Sequence, residues 1–194
     1  MKSNKSRSVE AKITRLTHEI AEIDDFFYNI NDERDREQCA GMLERKRDDM
    51  VRSCVLQLHT AIEDILTETI LCFALEAKPE ELGRKMRGSS AQALGNMFVG
   101  ERSIGFIMKL NFAVALHILN KKSKDRLVEL NKLRNRCSHN WLLKASVRRG
   151  KRPKQKKPPL LMYRGRDLHK VIVLEDFTHE YGAIYLKLFG KYCK

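Results

Sequence analysis

The sequence predicts an all-α protein, an antiparallel bundle of four to five helices with a basic loop and a small hairpin before the last helix. Three observations carry this. Apolar residues recur every three or four positions along most of the chain, the spacing of helices that keep one face in a core. Only 4 prolines and 10 glycines interrupt 194 residues, so long helices are permitted. A make-up of 42% hydrophobic and 32% charged residues is globular and unlike a disordered chain. One domain of residues 1–194 is expected: a core over about 9–142, a basic loop over 143–160, and a hairpin and helix over 161–194.

In order, Ile13, Leu16, Ile20, Ile23 and Phe27 place one apolar stripe on a first helix, which ends at Asn29 to Asp32. A second, long helical pattern runs from about Asp35 to about Glu76. Met50, Val51, Cys54, Leu58, Ile62, Ile65, Thr69 and Cys72 face inward, and Gly41 is a candidate break. His59 and Glu63 lie one turn apart on it, so a polar i,i+4 pair beside a core stripe is favoured over a catalytic role. Pro79, Gly83, Gly88, Gly95 and Gly100 mark residues 77–103 as a loop-rich connection with one short helix around Ala91 to Phe98. These glycines lack the preceding strand and following Gly-Lys of a phosphate-binding loop.

A third helix is expected from Ile104 to Leu119 with Ile107, Leu110, Val114 and Ile118 inward. Ser123 is read as the N-cap of the fourth helix and Asp125 as suited to its first turn. Leu127, Leu130, Leu133, Cys137 and Trp141 form its apolar face, with Arg134, Asn135, Ser138 and His139 beside it. From Lys144 to Lys157 there are eight basic residues, including Arg148, Arg149, Lys151 and Arg152, and no acidic one. Pro153, Pro158 and Pro159 forbid helix there. A solvated connector and a phosphate-contacting arm are level readings of this loop, and a nuclear-import signal fits the same composition. The apolar runs Leu160 to Tyr163 and Val171 to Leu174 bracket Arg164-Gly165-Arg166 as a small hairpin. A last helix starts near Asp176 with Phe177, Tyr181, Ile184, Leu188 and Tyr192 on one face.

The balance of 38 Lys and Arg against 25 Asp and Glu gives a net charge of +13, which makes a nucleic acid a sensible partner. No apolar run is long enough to span a bilayer, and the basic N-terminus lacks the apolar stretch of a secretory signal, so a cytoplasmic location is expected. The five cysteines are odd in number, widely spaced and mostly on apolar faces, as reduced core thiols would be. Cys137 and His139 lack two further ligands at zinc spacing, so neither a metal nor a cofactor is expected.

The run Arg134-Asn135-x-x-x-His139 near the end of a helix, after a helix and a short turn, resembles the R-x4-6-H signature of the HEPN family. The likeness covers about residues 50–142 and is nearest to members of the mannitol operon repressor type and to HEPN toxin ribonucleases. It implies a metal-independent endoribonuclease acting in the cytoplasm as a homodimer on RNA, of the toxin or antiphage-effector kind, with an antitoxin or regulatory protein as partner. The alternative it implies is a regulatory or nucleic-acid-binding dimer without catalysis. A third reading is a plain helical scaffold with incidental charge.

RNA carries its own nucleophile, the 2′-hydroxyl. Cleavage without a metal needs a base for that proton, cations for the charge building on phosphorus, and an acid for the 5′-oxygen. His139 suits the acid–base work, worth about 10²- to 10⁴-fold. Arg134 suits the charge, gripping two oxygens at once. On an ideal helix positions 134 and 139 lie about 140° apart, so one straight helix does not aim both at one phosphate. HEPN dimers typically solve this by facing their signature helices, which the resemblance implies here. Asn135 and Ser138 are expected to hold the imidazole or, for Ser138, to cap the helix end, and Arg136 to meet substrate phosphate or solvent equally well. The resemblance also implies an acidic helper on the opposite helix, loosely Glu63 or Asp64. Products would carry a 2′,3′-cyclic phosphate and a 5′-hydroxyl.

Overall fold

A computed structural model describes residues 33–99, 103–146 and 161–192, with isolated positions between 11 and 25; for 33–39, 41, 43, 89 and 139–146 it describes the backbone alone. The fold is all-α, as the periodicity predicts. Six helices are described, α1 Glu33–Ala74, α2 Pro79–Lys85, α3 Ser89–Phe98, α4 Phe106–Ala115, α5 Lys121–Ser146 and α6 Val171–Tyr192, with a two-stranded hairpin β1 Met162–Tyr163 and β2 Arg166–Asp167 before the last. Among the described residues no helix is long and apolar enough to cross a membrane. The expected first-helix stripe from Ile13 to Phe27 and the basic residues Arg148, Arg149, Lys151 and Arg152 lie outside the described residues.

The chain divides into two compact units. Unit 1 comprises Met1–Leu58 and Leu133–Tyr181, and unit 2 comprises His59–Lys132 and Gly182–Lys194. Each of α1, α5 and α6 thus contributes a segment to each. In unit 1, Val51, Cys54, Val55 and Leu58 of α1 are buried, as are Leu133 and Cys137 of α5 and Phe177 and Tyr181 of α6. Tyr163 of the hairpin meets Phe177 edge-on with ring centroids 5.3 Å apart. In unit 2 the core comes from Ile62, Leu66 and Ile70 of α1, Leu110 and Ala113 of α4, Leu127 and Leu130 of α5, and Leu188 of α6. Every residue expected to face inward on the second helix is buried.

Several boundaries differ from expectation. Gly41 does not break α1, which runs unbroken for 42 residues; one glycine costs a helix only about 1 kcal/mol. The connection over 77–103 holds two helices. Pro79 opens α2 at its first turn, where the missing N–H goes unused, and Glu80 and Glu81 follow it. Gly95 lies inside α3 under the Met86 side chain, in space a Cβ would fill. On α4 the buried set is Phe106, Lys109, Leu110 and Ala113, and Ile107 is 39% exposed. The apolar reading of Ile107 as inward is one residue out of phase, because a lysine occupies a core position.

Asn120, rather than Ser123, caps α5: its Oδ1 accepts the Ser123 N–H at 2.8 Å. That helix also continues to Ser146, five residues beyond Trp141, the last of its expected apolar face, since no proline or glycine intervenes before Gly150. The hairpin forms, but its second strand is Arg166–Asp167, with Tyr163 opposite Arg166, and Val171 to Leu174 begin α6 instead. Arg164 and Gly165 both have positive φ, 50° and 74°, which is the two-residue turn that suits the twist of paired strands.

Two helix ends in unit 2 share one device. Glu76 after α1 and His117 after α4 adopt left-handed backbone, at φ 45° and 56°. Ala77 N–H then reaches Cys72 O at 2.9 Å and Ile118 N–H reaches Ala113 O at 2.8 Å, closing each end in a Schellman turn. Lysine ammonium groups cover what remains. Lys85 donates to the carbonyls of Leu75 and Glu76, and Lys191 to those of His117 and Ile118, each a cation at the negative end of a helix.

Candidate active site

Arg134, Asn135, Arg136, Ser138 and His139 all lie on the α5 segment of unit 1. Leu133 and Cys137 anchor that segment by burial, which leaves Arg134, Asn135 and Arg136 exposed. The helix therefore does what the pattern asks: Leu133 and Cys137, one turn apart, face the core, and the polar residues between them meet water. The Arg134 Nη1 donates to Asn135 Oδ1 at 3.1 Å. Ser138 Oγ donates to the Arg134 carbonyl at 3.1 Å, a back-bond within the helix rather than a cap. The Asn135 amide oxygen thus serves Arg134; the expected Asn135 support for His139 involves a side chain outside the described residues. His139 is placed by its backbone one turn beyond Asn135; its side chain lies outside the described residues.

Among the described residues no carboxylate pairs with Arg134 or Arg136. Two guanidinium groups that no described carboxylate pairs, on one exposed helical segment, can bind phosphate oxygens bidentately.

Glu63 lies in unit 2 and is committed there. Its Oε1 accepts from Lys109 Nζ at 2.9 Å, and its Oε2 stands 3.7 Å from His59 Nδ1. His59 Nε2 donates to Asn131 Oδ1 at 3.1 Å, and its ring stacks at a tilt on Phe106, centroids 4.4 Å apart. Lys109 and His59 are 5% and 3% exposed. This is a polar network in which His59 and Lys109 are buried and Glu63 is partly open to water, and within it the His59–Glu63 pair is the one that helical spacing predicts.

A comparison with family models, with curated proteins and with solved structures finds no match to this chain.

The sequence reading missed one cluster altogether. In unit 1, Asp48 and Arg52 are buried on α1 with Arg52 Nε donating to Asp48 Oδ2 at 2.7 Å. The His169 ring donates through Nε2 to Asp48 Oδ1 at 3.1 Å and through Nδ1 to Asp167 Oδ1 at 2.8 Å. A detectable signal existed: Asp48 and Arg52 are four apart within the apolar stripe of Met50, Val51, Cys54 and Val55, where an unpaired charge would be costly. The Arg52 Nη1 and Nη2 atoms are buried without a hydrogen bond of ordinary geometry. Burial pushes the nearby Cys137 thiol up to about 11 although Arg52 draws it down, so Cys137 is an inert core thiol rather than a nucleophile.

Proposed function

We propose that this chain is a metal-independent endoribonuclease of the HEPN kind, in which Arg134 stabilises the charge on the reacting phosphate and His139 transfers the protons. The observation that supports this most is the pair of exposed guanidinium groups at 134 and 136, unpaired with acid among the described residues and five and three residues before His139 on the same helix. In the reaction the neutral His139 imidazole of one copy takes the 2′-hydroxyl proton as the oxygen attacks phosphorus, the bond from phosphorus to the 5′-oxygen breaks, and the protonated His139 of the second copy gives its proton to that leaving oxygen. The products are a 2′,3′-cyclic phosphate and a 5′-hydroxyl, with no water consumed in that step. Two copies facing along α5 would bring two arginines and two histidines to one cleft, which answers the angular separation on a single helix. Asn135 holds the Arg134 guanidinium in place for it. A toxin or antiphage effector restrained by a partner protein is the biological setting this activity suits.

The test is RNA cleavage by the purified chain in excess EDTA, with end-group analysis. Cyclic-phosphate ends are expected, lost in both Arg134→Ala and His139→Ala; cleavage that persists in both variants overturns the assignment.

The second reading is a regulatory or nucleic-acid-binding dimer without catalysis, related to the mannitol operon repressor type. The engagement of Glu63 by Lys109 favours it, since that carboxylate is then no helper in proton transfer. On this reading the same two variants weaken RNA binding or dimerisation, and no cyclic-phosphate ends form.

A further inference from the structure

Unit 1 contains a second group of ionisable side chains that the candidate active site does not use, and it lies where the hairpin passes into α6. We propose that the protonated His169 imidazole is a pH-sensitive latch that fastens this junction to α1 through Asp48 and releases it when the proton leaves. Both ring nitrogens face carboxylate oxygens, Nδ1 at 2.8 Å and Nε2 at 3.1 Å. Ionised carboxylates only accept, so both nitrogens must carry hydrogen, and the ring is an imidazolium. The groups facing it from each element are Asp48, with Arg52 behind it and Arg47 beside it, on α1, and Asp167 in β2. Arg47 donates to the His169 carbonyl, a second tie between the same two parts of the chain.

Loss of one proton breaks the two links unequally. Asp167 is two residues from His169, has the shorter contact, and also accepts the His169 backbone N–H at 3.0 Å. The remaining ring proton therefore stays on Nδ1. The Nε2 lone pair then confronts Asp48 Oδ1, and Asp48 keeps Arg52 as its partner. The bond that fails is the one between elements 121 residues apart in sequence, so deprotonation opens the latch on the α1 side.

The hydrogen bond to Asp48 raises the His169 pKa from 6.5, against the opposing effect of burial and with help from Asp167. A raised folded-state pKa means the latch contributes fully below 6.5 and is lost as pH rises through the folded value.

Two measurements on the full chain test it. In an NMR titration the His169 ring resonance is expected to have its midpoint above 6.5. Across that midpoint, hydrogen-exchange protection at Leu168, Val173 and Leu174, after correction for intrinsic exchange, is expected to fall by up to ten raised to the displacement of the midpoint. In His169→Gln, protection is lower at the acid end and flat over the same range. A midpoint at or below the ordinary value, or wild-type protection that does not change across the midpoint, overturns the latch. The wild-type titration decides the matter even if the variant does not fold.

Discussion

Replacing Lys109 by methionine removes the only charge on the buried face of α4 while nearly preserving its volume. Lys109 is 5% exposed, and its ammonium lies 2.9 Å from a Glu63 carboxylate whose side chain is 30% exposed. Breaking a fully buried ion pair from one side costs about 3–5 kcal/mol, mostly through the charge left behind. Glu63 can recover part of its hydration through its open side, and His59 remains 3.7 Å from its other oxygen. The expected loss is therefore about 2 kcal/mol, below the full figure for a sealed site. With a urea slope of about 2 kcal/mol per molar, that moves the midpoint down by about 1 M. Adding Glu63→Leu to Lys109→Met should restore most of the loss, because a pair replaced by packed apolar side chains is often neutral. Urea unfolding followed by circular dichroism reads both variants. A shift of less than about 0.3 M for the single variant would refute the reasoning, as would a double variant less stable than the single.

Three further outcomes are expected. Arg136→Ala should weaken RNA binding without sequence preference and reduce the slope of log affinity against log salt by about one unit, read by fluorescence anisotropy across a salt series. Acid should weaken unit 1: burial raises the Asp48 carboxyl, but hydrogen bonds from His169 and Arg52 outweigh it and hold the group well below its usual 3.8. A lowered folded-state value means that its contribution is present above 3.8 and disappears as pH falls through the folded value, so Asp48→Asn should flatten the acid limb of a stability-against-pH curve. Glu76→Gly should stabilise the chain by about 1 kcal/mol, since left-handed backbone penalises a side chain, and thermal melting would show it as a rise.

The long stripes of α1 and α5 were legible because periodic burial leaves a periodic sequence. Val51, Cys54, Leu58 and Ile62, like Leu127, Leu130, Leu133 and Cys137, alternate with polar residues at helical spacing. The phase of α4 was not, since Lys109 takes a core position that a hydropathy pattern assigns to solvent. Pro79 misled for a related reason: a residue that ends helices also starts them, and only the following acids distinguish the two. At the candidate site, Arg134, Asn135 and Ser138 interact within one turn, so their neighbourhood could be read from spacing. The His169 cluster could not, because Asp48 and His169 are joined only by the fold. Glu63 was legible as a partner of His59 but not of Lys109, 46 residues away.

The three thiols described in the core supply native reporters of motion. Burial pushes Cys54 up to about 12 and Cys72 to about 11, and Cys137 likewise stands at about 11. Cys54 and Cys137 belong to unit 1 and Cys72 to unit 2. An alkylating reagent can modify each only when its surroundings breathe, so the rate at which every site acquires a mass tag clocks the opening of its own half of the molecule, with no label engineered in.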